Sequence, residues 1–160
     1  MQYMFDTIAL NEIIKRGVGA AGFDKNNRYY ITPVQRAEIL QTADLSLRTK
    51  LLRGLEVIEE FAPATSVEIR TAPWGHFPWG HGPWGGGDDK YYAEVMKRLS
   101  ECPRNKSPRG NNSDALIIEV CKMKSITLVT NDGPVQKVCD DLGVPWLTLD
   151  GFLAGMEGGR

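Results

Sequence analysis

Four acids in this chain stand where they could share one task. Asp6 follows the short apolar run Tyr3-Met4-Phe5, and Glu38 lies within Thr32-Pro33-Val34-Gln35-Arg36-Ala37-Glu38-Ile39-Leu40. Asp114 precedes Ala115-Leu116-Ile117-Ile118, and Asp132 stands just past Ile126-Thr127-Leu128-Val129. Carboxylates brought into one pocket repel each other unless a cation lies among them. With no Cys or His close by in sequence, the donors are oxygens, which suit Mg²⁺ or Mn²⁺ rather than zinc. Such an ion orients water, lowers its pKa and offsets charge on a phosphodiester. Each acid also has a plain structural reading. Asp6 and Asp114 could be helix caps, Asp132 a turn former in Asn131-Asp132-Gly133-Pro134, and Glu38 a solvated helix residue.

The elements that must hold these acids can be read from the pattern around them. Tyr3-Met4-Phe5 reads as a strand, and Asp6-Thr7 can cap a helix from about Ile8 to Arg16, ended by Gly17 and Gly19. Its residues Ile8, Leu10, Ile13 and Ile14 suit one buried face. Tyr29-Tyr30-Ile31 reads as a second strand, and Thr32-Pro33 starts a helix with Thr as cap. A longer helix follows from near Leu45 to Phe61, striped by Leu47, Leu51, Leu52, Leu55 and Ile58. Ser66-Val67-Glu68-Ile69-Arg70-Thr71 alternates as an edge strand does. Helix resumes at Asp88-Asp89 through Leu99, and Cys102 to Asn112 reads as a loop. A helix opened by Asp114, a strand from Ile126 to Val129, a helix over Gly133 to Leu142, a strand from Val144 to Leu147 and a short final helix complete the order. Alternating strands and helices with short links predict an α/β fold with a central parallel sheet. In such sheets ligands bind outside the carboxyl ends of the strands, where Asp6 and Asp132 stand.

Bulk composition narrows the class. The chain has 160 residues, 42% hydrophobic and 24% charged, which suits one domain with one core. A net charge of −1 gives no global attraction to nucleic acid, so any such contact must come from a local patch. Lys97, Arg98, Arg104, Lys106 and Arg109 form one ahead of Asp114, and they could hold RNA phosphates, Arg104, Lys106 and Arg109 above all, or be a solvated loop. No apolar run spans a membrane and no signal-peptide pattern opens the chain, which predicts a cytoplasmic protein. Cys102, Cys121 and Cys139 offer neither a fully paired disulfide set nor a C-x-x-C metal spacing. Cys121 and Cys139 sit on apolar helical faces and read as small buried hydrophobes. At about 72–87 an insert carries Pro73-Trp74-Gly75-His76, Pro78-Trp79-Gly80-His81 and Pro83-Trp84-Gly85-Gly86. Its prolines and glycines exclude helix and central strand. Its tryptophans could stack on bases or fold onto a partner.

The order of these segments resembles the PIN-domain family. The resemblance rests on Phe5-Asp6-Thr7, on Ile31 to Leu40 with Glu38, on Asp114-Ala115-Leu116-Ile117, and on Leu128-Val129-Thr130-Asn131-Asp132 with Leu142-Gly143-Val144-Pro145 after it. It covers residues 1 to about 71 and about 88 to 155, leaving the insert outside. It implies a single PIN-like α/β/α sandwich and a metal-dependent endoribonuclease. Asp6, Glu38, Asp114 and Asp132 would then be catalytic and metal-site acids, Asp132 acting through water, with Asn131 and Thr7 assisting by hydrogen bonds. It further implies an RNA substrate and allows an antitoxin protein or a second copy of the chain as partner, since many members are toxins of toxin–antitoxin pairs. The rival reading is a PIN-like module without turnover that binds RNA or protein through its insert. An unrelated nucleotide-binding α/β protein is disfavoured, because no G-x-G-x-x-G or G-x-x-x-x-G-K-[ST] loop is present.

Overall fold

The computed structural model describes residues 1–18, 23–61, 89–103 and 108–157. Its sheet is built from β1 (Gln2–Phe5), β2 (Arg28–Tyr30), β3 (Thr127–Val129) and β4 (Trp146–Leu147) in the order β2-β1-β3-β4. Every pairing is parallel, with Met4 opposite both Tyr30 and Leu128, and Val129 opposite Leu147. Because side chains alternate along a strand, β1 divides its residues between two cores. Met4 joins Leu128 and Tyr30 on one face, whereas Tyr3 and Phe5 join Tyr29 and Val129 on the other.

Helices cover both faces. On the Met4 side lie α4 (Asp89–Glu101), α5 (Pro108–Lys124) and α6 (Gly133–Leu142), contributing Val95, Leu99, Leu116, Ile118, Val135 and Val138. On the Tyr3 side lie α1 (Thr7–Lys15), α3 (Leu45–Phe61) and α7 (Leu149–Glu157), contributing Leu10, Ile13, Leu51, Leu55 and Phe152. The short α2 (Pro33–Leu40) gives Val34 to the first core and Ile39 to the second, so it straddles the end of the sheet. The α/β/α layering and central parallel sheet expected from the sequence are therefore present. No helix among the described residues is long and apolar enough to cross a membrane.

Several boundaries differ from expectation. α5 begins at Pro108, not at Asp114, so the loop expected to run to Asn112 ends earlier. Proline suits a first helical turn, whose N–H groups lack intrahelical partners, and this hid a helix inside a polar, glycine-containing stretch. The second strand ends at Tyr30, the third starts at Thr127, and the fourth is only Trp146–Leu147. Ile8 and Leu40 are exposed, so the buried faces of α1 and α2 are narrower than their apolar residues suggest. Cys121 and Cys139 are buried as expected. The strand expected over 66–71, the insert at 72–87, Arg104, Lys106 and the side chain of Arg109 lie outside the described residues.

Candidate functional site

Parallel pairing brings the carboxyl ends of β1, β2 and β3 to one edge of the sheet, and the acids follow from that. Asp6 is the first residue beyond β1 and caps α1, its Oδ1 accepting from the Ala9 amide at 2.6 Å. Phe5, just before it, is locked by edge-on packing against Phe152, with ring centroids 5.1 Å apart. Asp6 is 5% exposed.

Two threonines tie Asp6 to its neighbours. The Thr130 hydroxyl, fully buried past the end of β3, donates to Asp6 Oδ2 and accepts from the Asp132 amide at 3.0 Å. Thr7, at the start of α1, donates from Oγ1 to Glu38 Oε2 at 2.8 Å. Glu38 thus stands one residue's reach from Asp6, reached across the sheet end from α2. Asp132 caps α6, accepting from the Val135 amide at 3.3 Å, so its capping role is realised. Asn131 Oδ1 accepts from the Leu149 amide at 3.0 Å and anchors the start of α7 instead of turning to the acids.

Asp114 is buried in the second turn of α5 and is not a helix cap. α5 packs against both α2 and β3, which places Asp114 on the helix lying over this corner of the sheet. Cys139, on α6, reports on it electrostatically. Burial, and then the carboxylates of Asp140, Asp114 and Asp6, push that thiol up to about 12. Asp114 and Asp6 therefore act on one buried group. Cys121 is likewise pushed well up by burial. Both thiols stay protonated at neutral pH and are poor ligands for a soft metal.

The structure thus links Asp6 with Glu38 through Thr7, and Asp6 with the Asp132 segment through Thr130. Among the described residues no three His, Cys, Asp or Glu side chains stand together as an ion-holding group. The donors on these acids are all oxygens, which suit a hard cation, and the nearby thiols are protonated. Of the basic residues expected to meet RNA, Arg98 is committed to Glu94 at 2.7 Å and Asp141 at 3.4 Å.

Sequence reasoning gave no role to Thr130 or to Gln35, which is fully buried and closes a capping box with Thr32. The signal for Gln35 was present, since Thr-x-x-Gln ahead of an apolar run marks such a box. Thr130 stands in the Thr-Asn-Asp strand end that carries part of the resemblance, but nothing in that motif says that its hydroxyl binds Asp6. No family model matches the chain, and no curated protein matches it. Among solved structures, FitAcB from Neisseria gonorrhoeae aligns over 92% of this chain and 97% of that one, at 14% identity and a TM-score of 0.48, a likeness that carries no inference.

Proposed function

We propose that this chain is a divalent-cation-dependent ribonuclease of the PIN-like kind, with Asp6, Glu38 and Asp114 as its ion-holding acids and Asp132 at the rim. The observation that carries the reading is the pair of threonine links, which fasten Asp6, Glu38 and the Asp132 segment at the carboxyl edge of a parallel sheet. The family resemblance of the sequence supports it, as do the all-oxygen donors. Mg²⁺ or Mn²⁺ held there would supply a more acidic water and offset the charge of a phosphodiester.

The chain's own residues do the rest. Asp6 turns Oδ1 to the Ala9 amide and Oδ2 to the Thr130 hydroxyl. The Thr130 hydroxyl and the Ala9 amide fix that carboxylate's plane. Thr7 fixes one oxygen of Glu38 and thereby its orientation. Asp114 enters from α5 as a third acid, and joining the other two on ion binding is part of the proposal.

The test is cleavage of labelled single-stranded RNA by wild type, Asp6→Asn and Asp114→Asn, with Mg²⁺ or Mn²⁺ and with chelator. Wild type should cleave only with the ion, and both variants should lose cleavage while keeping their circular dichroism, because an amide is a weaker ligand for a hard ion at unchanged volume. Folded variants with full activity would overturn the assignment. RNA binding without ion-dependent cleavage by the wild type would leave the non-catalytic binding module. The narrower role of toxin in a toxin–antitoxin pair rests on the resemblance alone. Its test is growth arrest on expression, relieved by a small DNA-binding protein from the adjacent reading frame.

A further inference from the structure

The β1–β2 ladder changes its construction next to the acids. Arg28 pairs with Gln2, and its amide donates to the Met1 carbonyl at 2.8 Å. In a parallel pair this bond recurs at every second residue, which would bring the Thr32 amide to the Phe5 carbonyl. A side chain stands in that place instead. The Thr32 amide donates to Gln35 Oε1 at 2.6 Å, and Gln35 Nε2 donates to the Phe5 carbonyl. The Thr32 hydroxyl also donates to Gln35 Oε1, at 3.1 Å. A whole amide group is spliced into the rung, and two hydrogen bonds with an amide between them span more than one bond does. The chain leaving β2 is therefore held away from β1 at the point where Asp6 begins.

Glu38 lies three residues beyond Gln35, on the same face of α2. The residues flanking Asp6 are thus both tied to that face, Phe5 through its carbonyl to Gln35 and Thr7 through its hydroxyl to Glu38. We infer that the spliced Gln35 amide is a positioning residue that sets the separation of Asp6 and Glu38. The consequence for ion affinity rests on the function proposed above; the positioning itself does not.

Gln35→Met tests this, since methionine keeps the length and loses the amide. The Thr32 amide and Phe5 carbonyl can then pair directly, which lets the variant fold and draws α2 toward β1. The first readout is the side-chain carboxyl ¹³C resonance of Glu38 in ion-free protein, with Thr7→Val marking its position when the Thr7 bond is absent. The second is Mn²⁺ binding followed by electron paramagnetic resonance, with Asp6→Asn as reference. In Gln35→Met the Glu38 resonance should move toward its Thr7→Val position, and the Mn²⁺ dissociation constant should rise about tenfold or more. An unmoved resonance, with Mn²⁺ affinity unchanged, would overturn the inference and leave Gln35 a packing residue. If Asp6→Asn binds Mn²⁺ as wild type does, or wild type binds none, the ion reading fails, and the Glu38 resonance still decides on positioning. Should Gln35→Met not fold, scalar coupling across the Gln35 Nε2–Phe5 carbonyl hydrogen bond in wild type decides, and its absence would overturn the inference.

Discussion

Replacing Thr130 by valine asks how much the joint between two acid-bearing segments contributes to stability. The side chains are nearly isosteric, so the change removes a hydroxyl and little volume. In wild type that hydroxyl is fully buried, donates to Asp6 Oδ2 and accepts from the Asp132 amide. Losing the first bond strips a charged acceptor in a buried place, which costs about 1.5–3 kcal/mol. The Asp132 amide lies in a half-buried segment where water can replace its partner, so its loss adds about 0.5–1 kcal/mol. The expected destabilisation is about 2–4 kcal/mol. For a domain of this size that lowers Tm by roughly 4–16 °C. Urea unfolding at neutral pH measures it, and calorimetry gives the shift in Tm. A loss below about 0.5 kcal/mol, the range of an ordinary surface substitution, would refute the joint. Thr130→Ser, which keeps the hydroxyl, should recover most of the loss.

Burial raises Cys139 from an ordinary 9.0 and Tyr91 from 10.0, each to about 12, so the fold favours their protonated forms. Their contribution is complete below pH 9 and is lost as pH rises from 9 toward 12; the urea midpoint should fall across that window, less steeply in Cys139→Ala with Tyr91→Phe. A colorimetric thiol reagent at pH 8 should find half-buried Cys102 in the native protein and reach Cys121 and Cys139 only on unfolding; three rapid equivalents would contradict their burial. A Cβ added at Gly54 would lie 2.6 Å from Ile14 Cδ1, where α1 packs on α3. Gly54→Ala should therefore lose stability, with overpacking of about 1–3 kcal/mol exceeding a helix gain of about 1 kcal/mol, and a rise in Tm would refute that contact.

The parallel sheet was legible because its strands carry the signals that buried strands need. Met4 and Phe5 are apolar and Leu128-Val129 is too, while Thr32-Pro33 and Asn131-Asp132-Gly133-Pro134 mark the helix starts after β2 and β3. Asp6 and Asp132 were placed correctly because a strand end followed by a cap is a local pattern. Glu38 was readable only as a member of an ordered set, since its bond to Thr7 joins residues 31 apart. Asp114 was misplaced along its helix because Pro108 to Ser113 has the composition of a loop and becomes helical through packing, which local propensity does not report. The Gln35 rung was hidden for another reason. Its capping box is a local motif, but the bond to Phe5 depends on the register of β1 with β2.

The strand order has a consequence for synthesis on the ribosome. β1 is made long before its neighbour β3, which lies at Thr127–Val129. One edge of β1 therefore stays unpaired until β3 has emerged, and Thr130, which binds Asp6, arrives just after β3. Contacts so far apart in sequence form late, because closing the intervening chain costs entropy before they reward it. Nascent chains stalled before residue 127 should carry Asp6 and Glu38 without their opposing segment. Whatever chemistry this corner performs, the polypeptide acquires it only after β3 and Thr130 have emerged, which separates making the first acids from arming them.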